Sequence, residues 1–410
     1  MAPSAASQPK PKRFRRREAV LGVAIQLIND VGLRGMTFVE IANKLGIVAT
    51  GIAYYFRRKE QLASACYISS LERIQGFIAS AAGTTVEGRL KSFLSNYCRY
   101  LADVAAGRAP AIVRFDEVRV LADPTVDDAI AQTFSKFRQL LRDPADRQSR
   151  VSNAHAHLLF SWIFWMPALL ERHSEDEYDA IAGIVLRIWL GGVSAQPLRV
   201  GRPRVLAHQS PHGDDRAEDF LKAATKVLNE QGYAGASVER ISAELNVTKG
   251  SFYHHNEAKD DLVVSCFERS LALVQTAKQD AARLSAPGAE KLLALTVHLI
   301  EHQLRGDAPL LSMSALMTLP KHIRTDLLHK SDRITNGFVL LFSEGMEDGS
   351  IRTTSPVVAA WMLSSMINAA VDLRAWVPDL TVDNVADLFV RPFFEGYARS
   401  SAQSKHTAPG

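Results

Sequence analysis

The sequence repeats itself once, without a gap, at a spacing of two hundred residues. Gly32 and Gly232, Gly35 and Gly235, Ile41 and Ile241, Leu45 and Leu245, Lys59 and Lys259, Leu62 and Leu262, and Cys66 and Cys266 all keep this offset. A period that long marks a duplicated domain, because solenoid repeats run about 20–50 residues. The 410-residue length agrees, since domains take about 100–200 residues each. Whatever fold one copy adopts, the chain must hold it twice.

The most informative part of the repeat is the stretch from Ser237 to Leu262, SVERISAELNVTKGSFYHHNEAKDDL. Val238, Ile241 and Leu245 fall at i, i+3 and i+7, one face of a short helix that Ser237 is placed to cap. Thr248 can cap a second helix carrying Lys249, Gly250, Ser251, Tyr253, His254 and His255. Two short helices, the second displaying small and polar groups, form the helix-turn-helix layout, whose second helix enters the major groove. In the first copy, helix one is expected over 16–31, with Val20, Ala24, Leu27 and Ile28 on one side and Gly32 ending it. Helix two is expected over 37–45, capped by Thr37, closed by Gly46, with Phe38, Ile41 and Leu45 inward. Helix three carries Ala49, Thr50, Gly51, Ile52, Ala53, Tyr54 and Tyr55.

With those residues in view, TFVEIANKLGIVATGIAYYFRRKEQL and its second-copy counterpart resemble the DNA-binding signature of the tetracycline-repressor (TetR) family. The F-x-x-K-E-x-L ending at Phe56 to Leu62, the G-x-x-G at Gly32 and Gly35, the long downstream helix and the duplication make the resemblance specific. It implies an all-α fold of two tandem TetR-like units, each a three-helix DNA-binding domain followed by a helical effector-binding and dimerisation domain. It also implies phosphate contacts from Thr37 and Ser237 at the start of helix two, and from Lys59 and Lys259 at the start of helix four, where the helix dipole adds attraction. The groove-facing set is then Ala49, Thr50, Gly51, Tyr54 and Tyr55 in one copy. In the other it is Thr248, Lys249, Gly250, Ser251, Tyr253, His254 and His255. Small residues allow close backbone approach, and tyrosine or histidine can donate to phosphates or base edges. The alternative for the tyrosines and histidines is packing between helices. Both copies depart from the pattern: Val48, Ala49 and Ala53 replace a hydroxyl cap, a lysine and an aromatic in one, and Asn256 replaces an aromatic in the other.

Charge separates the copies. Residues 1–62 hold eleven Lys/Arg and four Asp/Glu (11 − 4 = +7), whereas residues 199–262 hold nine and ten (9 − 10 = −1). Sequence-independent attraction to phosphates is therefore expected mainly from the first copy. Residues 1–17 end in KPKRFRRR and read as a disordered basic arm, with Arg15 and Arg16 available to phosphates or a minor groove, against the plainer reading of a solubilising tail. Residues 194–215 read as a linker whose Gly201-Arg202-Pro203-Arg204 resembles an AT-hook core; a plain tether and a basic arm for the second copy stay equally open.

The expected organisation is an arm over 1–17, DNA-binding domain one over 18–62 and helical domain one over 63–193. After the 194–215 linker come DNA-binding domain two over 216–262, helical domain two over 263–399 and a tail over 400–410. Helices are expected at 58–81, 86–105, 111–121, 125–142, 147–170 and 176–191, and at 356–376 and 382–399. The last two of each copy are apolar over more than one face and call for a second helix pair to cover them. Each copy is expected to hold its own effector pocket. The candidates are Phe93, Tyr97, Trp162, Trp165 and Met166 in copy one, and His298, His302, Met313, Met317 and Trp361 in copy two, suited to a small apolar or amphipathic ligand.

Cys66, Cys98 and Cys266 lack CxxC spacing and read as buried thiols of a reducing, cytoplasmic protein. His298 with His302, and His155 with His157, lack a placed third ligand, so no metal and no cofactor is expected. No catalytic motif appears. The longest apolar stretch, around 158–170, is shorter than the roughly 18 residues of a membrane span. The function expected is a ligand-responsive transcriptional regulator, most simply a repressor, whose partner is double-stranded operator DNA. It would act as an intramolecular pseudo-dimer or a homodimer. The rival readings are a protein in which only copy one binds DNA, and an enzyme or ligand-binding protein on the same fold.

Overall fold

A computed structural model describes residues 12–115, 118, 121–142, 153–198, 215–235, 240–241, 243, 259–306, 309–317, 319 and 321–397. The first copy comprises α1 (Lys12–Gly35), α2 (Phe38–Leu45), α3 (Ala49–Ala53), α4 (Lys59–Ala79), α5 (Val86–Ala105), α6 (Pro124–Leu141), α7 (Asn153–Leu170) and α8 (Tyr178–Gly191). The second comprises α9 (Asp215–Gly235), α10 (Lys259–Ala282), α11 (Gly288–Arg305), α12 (Met313–Met317), α13 (Lys321–Glu347), α14 (Pro356–Ala369), α15 (Leu373–Trp376) and α16 (Arg391–Glu395). The fold is all-α; among the described residues the sole β pairing is an isolated bridge between Ser194 and Ile351.

Several starts are set by side-chain caps. Thr37 accepts from Glu40 N at 3.2 Å, Thr85 from Gly88 N at 3.0 Å, Asp123 from Thr125 N at 2.9 Å and Ser355 from Val358 N at 3.3 Å. Each satisfies a donor that the helix cannot, and Pro124 and Pro356 stand where a missing N–H costs nothing.

Four expectations need correction. Helix α1 begins at Lys12, so Arg15 and Arg16 lie on a helix and not in an arm; the run from Lys12 to Leu21 contains strong helix formers and no glycine or proline. The segment 111–121 forms no α-helix among its described residues. Side chains intercept its backbone: Ser70 Oγ takes Val113 N, and Asn29 binds both Ile112 O and Arg114 N. The linker's first residues, 194–198, are built into the junction between the copies, where Ala195 N donates to Ser350 O at 2.9 Å and Leu198 N to Glu395 Oε1 at 3.1 Å. Finally, Pro356–Trp376, 21 residues, is long and apolar enough to cross a membrane by composition, yet 61% of it is buried within the fold.

Three cores form. Val20, Ala24, Ile28, Ile41, Ile52, Phe56, Leu62 and Cys66 make the first DNA-binding core, and Phe220, Ala224, Ile241, Leu262 and Cys266 lie in its second-copy equivalent. The third is continuous across both copies, because α7 packs on α14 and α8 packs on α14 and α16. Trp162 Nε1 donates to Met362 O at 3.0 Å, joining positions equivalent in the repeat. Trp162 also meets Trp189 and Phe393 edge-on at 5.5 and 5.9 Å, and Tyr397 OH crosses to Leu141 O at 2.9 Å. His155 is enclosed here beside Trp189 and Tyr397, and burial pushes its imidazole down to about 4, so it is neutral at physiological pH. All three cysteines are buried and free, with burial pushing each thiol up to about 12. They are unreactive packing residues.

Where α8 and α16 end, the chains of the two copies touch backbone to backbone. Gly192 has φ 70°, and a Cβ there would fall on the Phe394 carbonyl; Gly396, at φ 88°, would collide likewise with Leu190 and Gly191. Gly192→Ala is expected to destabilise the chain by about 2 kcal/mol or more, combining left-handed strain with a backbone clash. Chemical denaturation would read this, and a midpoint equal to wild type would refute the close crossing.

Candidate nucleic-acid interface and ligand cavity

The first DNA-binding unit is set by two buried anchors. Ile41 on α2 and Ile52 on α3 are both fully enclosed, which turns the opposite face of each helix to solvent. Gly46, in the left-handed conformation, closes α2, and α3 starts after Val48, which supplies no side-chain cap. Thr50 and Tyr54 are exposed, Tyr54 at 68%, while Ala49, Gly51 and Tyr55 are half-buried. The Tyr54 and Tyr55 rings stand edge to face at 5.2 Å. Thr37 is exposed; beyond its capping role, its hydroxyl lies 3.2 Å from Glu40 Oε2. Lys59 opens α4, and Arg16 is exposed on α1.

Sequence reasoning missed an apolar set on this surface. Val39 on α2 and Ile47 and Val48 in the turn are exposed large hydrophobics alongside Tyr54. Their side chains suit thymine methyl groups in a major groove. The available signal was their position off the buried stripe of α2 and α3.

Arg202, Arg204, Ser237, Thr248, Lys249, Gly250, Ser251, Tyr253, His254 and His255 lie outside the described residues, as does the side chain of Arg15. Of the second unit, Lys259 opens α10, mirroring Lys59, and Ile241 is buried like Ile41.

The main cavity, about 400 Å³, lies between the copies and not within one. Copy one contributes Phe115, Val118, Asp127, Ile130, His157, Phe160, Ser161, Phe164 and Trp165; copy two contributes Ser312, Met313, Asn368, Ala369, Asp372, Ala375 and Trp376. A recess of about 60 Å³ in copy two shares Met313 and Asn368 with it.

Only Trp165 and Met313 of the expected pocket residues line this space. Phe93 and Tyr97 are core, stacked on each other at 5.9 Å, with Tyr97 OH bonded to Ile163 O. Trp162, Trp165, Met166 and Trp361 do meet, around a gap of only about 10 Å³, so they cement the copies together and leave no room for a ligand. His298 and His302 touch each other on α11, rings 4.6 Å apart, away from the cavity. The side chain of Met317 is outside the described set. The aromatic content was legible, but which aromatics face a void depends on how α7 crosses the second copy.

Cavity and DNA-binding units are joined by a repeated polar latch. Asn29 on α1 donates to Ile112 O at 2.9 Å and accepts from Arg114 N at 2.9 Å. Asn229 on α9 donates to Leu310 O and accepts from Ser312 N, both at 2.8 Å. Ser70 accepts from Val113 N and Ser270 from Leu311 N, each at 2.9 Å. The held segments run directly into the cavity wall at Phe115 and at Ser312 and Met313. In copy two a buried ion pair reinforces the latch: Arg269 Nε meets Glu218 Oε1 at 2.8 Å, and Arg269 also donates to Pro309 O at 3.1 Å.

Paired helix-turn-helix units, each latched to a helical body, define a bacterial DNA-binding regulator. The sequence profile of bacterial regulatory proteins, tetR family, matches residues 20–66 and 220–266. The transcriptional repressor DhaR of Mycobacterium sp. (strain GP1) is 30% identical over 141 residues, 33% of this chain and 69% of that protein. The transcriptional repressor AcnR of Corynebacterium glutamicum is 28% identical over 147 residues, 34% of this chain and 71% of that protein. Among solved structures, apo AibR is 24% identical with a TM-score of 0.37, covering 43% of this chain and 98% of that one. The chain belongs to the tetR family of bacterial regulatory proteins.

Tyr54→Ala is expected to weaken binding to a selected DNA site about tenfold, as loss of one groove contact of about 1–3 kcal/mol does. Thermal stability should stay unchanged because the ring is exposed. Gel-shift titration beside a melting curve checks both, and undiminished affinity would remove Tyr54 from the interface.

Proposed function

We propose that this chain is a ligand-responsive repressor that binds one operator duplex as a single-chain pseudo-dimer, with two unequal recognition helices. The observation that carries the reading is the packing of α7 and α8 against α14 and α16, fastened by Trp162 and Met362 two hundred residues apart. This contact gives one chain the paired arrangement that a symmetric dimer achieves with two. Because the reading helices differ, the favoured operator is asymmetric. Repression, rather than activation, rests on the names of DhaR and AcnR, and no enzymatic step is invoked.

The effector site in this reading is the shared cavity, occupied once per chain by a small ligand. Such a ligand touches Phe115 and Val118 in one copy and Ser312 and Met313 in the other. Both walls continue into the Asn29 and Asn229 latches, so occupancy bears on both DNA-binding units together. A ligand that favours the wrong spacing of the recognition helices lowers operator affinity by the factor by which DNA lowers ligand affinity.

A second reading, in which copy one alone grips DNA, is favoured by the charge balance of +7 against −1. An undiminished affinity in His254→Ala, set against a loss in Tyr54→Ala, would select it.

Two measurements test the main reading. Native mass spectrometry with a short operator, recovered by genomic DNA selection, should show one chain per duplex; two chains would refute the pseudo-dimer. In Asn29→Ala with Asn229→Ala, ligand should still bind, but the 5–150-fold shift in DNA affinity typical of allosteric coupling should fall towards onefold. Full induction in that variant would exclude the latch as the route.

A further inference from the structure

We infer that the shared cavity takes an organic cation bearing an aromatic or apolar group, held by aromatic faces and two carboxylates. The inference rests on reading this cavity as the effector site and adds the charge of its occupant. The walls are aromatic from both copies: Phe115 stacks on Phe164 at 4.1 Å, Phe160 lies 4.1 Å from Phe164, and Trp376 lies 5.6 Å from Phe160. Ring faces carry negative quadrupole potential and attract a cation within about 6 Å of a centroid, most strongly where water is excluded.

The ionised groups on the wall have one sign. Asp127 enters from the first turn of α6 in copy one, and Asp372 enters from copy two, half-buried and with Oδ1 shielded from solvent. No lysine or arginine is among the described lining residues. The cations nearest in sequence are engaged elsewhere: Arg374 donates to Leu304 O, and Arg114 binds Asn29 O at 3.2 Å and Glu171 at 3.3 Å. A carboxylate- or phosphate-bearing ligand would bring like charge against both aspartates with no counter-charge on the wall, which disfavours an anion. A neutral ligand would use the rings and leave the carboxylates idle. Only a cation uses both, and because one carboxylate comes from each copy it would bridge the repeats at the surface that sets head spacing.

The test uses the full chain and two ligands of one shape: benzyltrimethylammonium and its uncharged carbon analogue, neopentylbenzene. Calorimetric titration should give one ammonium ion per chain, bound about tenfold or more tighter than neopentylbenzene, the scale of a desolvated cation–π and carboxylate contact. Asp127→Asn with Asp372→Asn should erase that difference while leaving neopentylbenzene affinity within about twofold, a neutral-ligand control for folding. Equal binding of the two ligands by wild type, which needs no variant, overturns the inference, as does a double variant that keeps the tenfold preference. If neopentylbenzene binds and releases DNA while the ammonium does not, the effector site stands and its charge assignment falls. If neither ligand binds, both fall.

Discussion

The contact between the two helical bodies is the constraint on which the rest depends. Two DNA-binding units on one chain are useful only if something fixes their separation, and the tether, 194–215, cannot do so by itself. The fixing is done by α7 and α8 against α14 and α16, with Trp162 reaching Met362 O and the α8 and α16 ends crossing at Gly192 and Gly396. Apolar burial holds the bodies together, and the glycines let two backbones approach where any side chain would separate them. The same crossing creates the cavity, since its walls come from both bodies.

Comparing the copies separates what the fold needs from what one unit can vary. The Asn29 and Asn229 bridges, the Ser70 and Ser270 acceptors, and the Cys66 and Cys266 core positions keep the same partners or burial in both. Each lies between a DNA-binding core and the segment leading to the cavity, where backbone groups that form no helix must find side-chain partners or remain unsatisfied. Elsewhere the copies diverge. The buried Arg269–Glu218 pair stiffens the second latch, whereas position 69 of the first copy is a serine. The cavity wall diverges too: Phe164 and Trp165 of copy one correspond to Ser364 and Ser365 of copy two. The cavity is therefore asymmetric and suits one ligand, not a symmetric pair.

What could be read from sequence was what local chemistry determines. Thr37, Gly46 and the Ile41 and Ile52 anchors follow from capping, left-handed closure and helical spacing, and the duplication doubled the evidence for them. The expected pocket failed because it was sought among aromatic residues inside each copy. Phe93 and Tyr97 point into a core, and Trp162 and Met166 into the seam between copies. His157, Trp376 and Asp372 reach the void because of a crossing between segments more than two hundred residues apart, which no local pattern encodes. The helix expected over 111–121 failed for a related reason: its donors and acceptors are claimed by Asn29 and Ser70 from another domain, and tertiary bonds override propensity.

These features together limit how a ligand can act. In a symmetric dimer with a pocket in each subunit, one ligand biases one head and must rely on the interface to inform the other. Here the cavity wall includes the segment latched to each head, Phe115 beside the Asn29 bridge and Ser312 within the Asn229 bridge. A single occupant therefore meets both latches without crossing the interface, because it sits in it. Packed cores respond by switching between discrete arrangements and not by gradual yielding. A change in the α7–α14 crossing that accommodates a ligand would accordingly shift both heads in one step. Fusion into one chain thus serves two ends: it makes the reading heads unequal, and it allows one binding event to govern both.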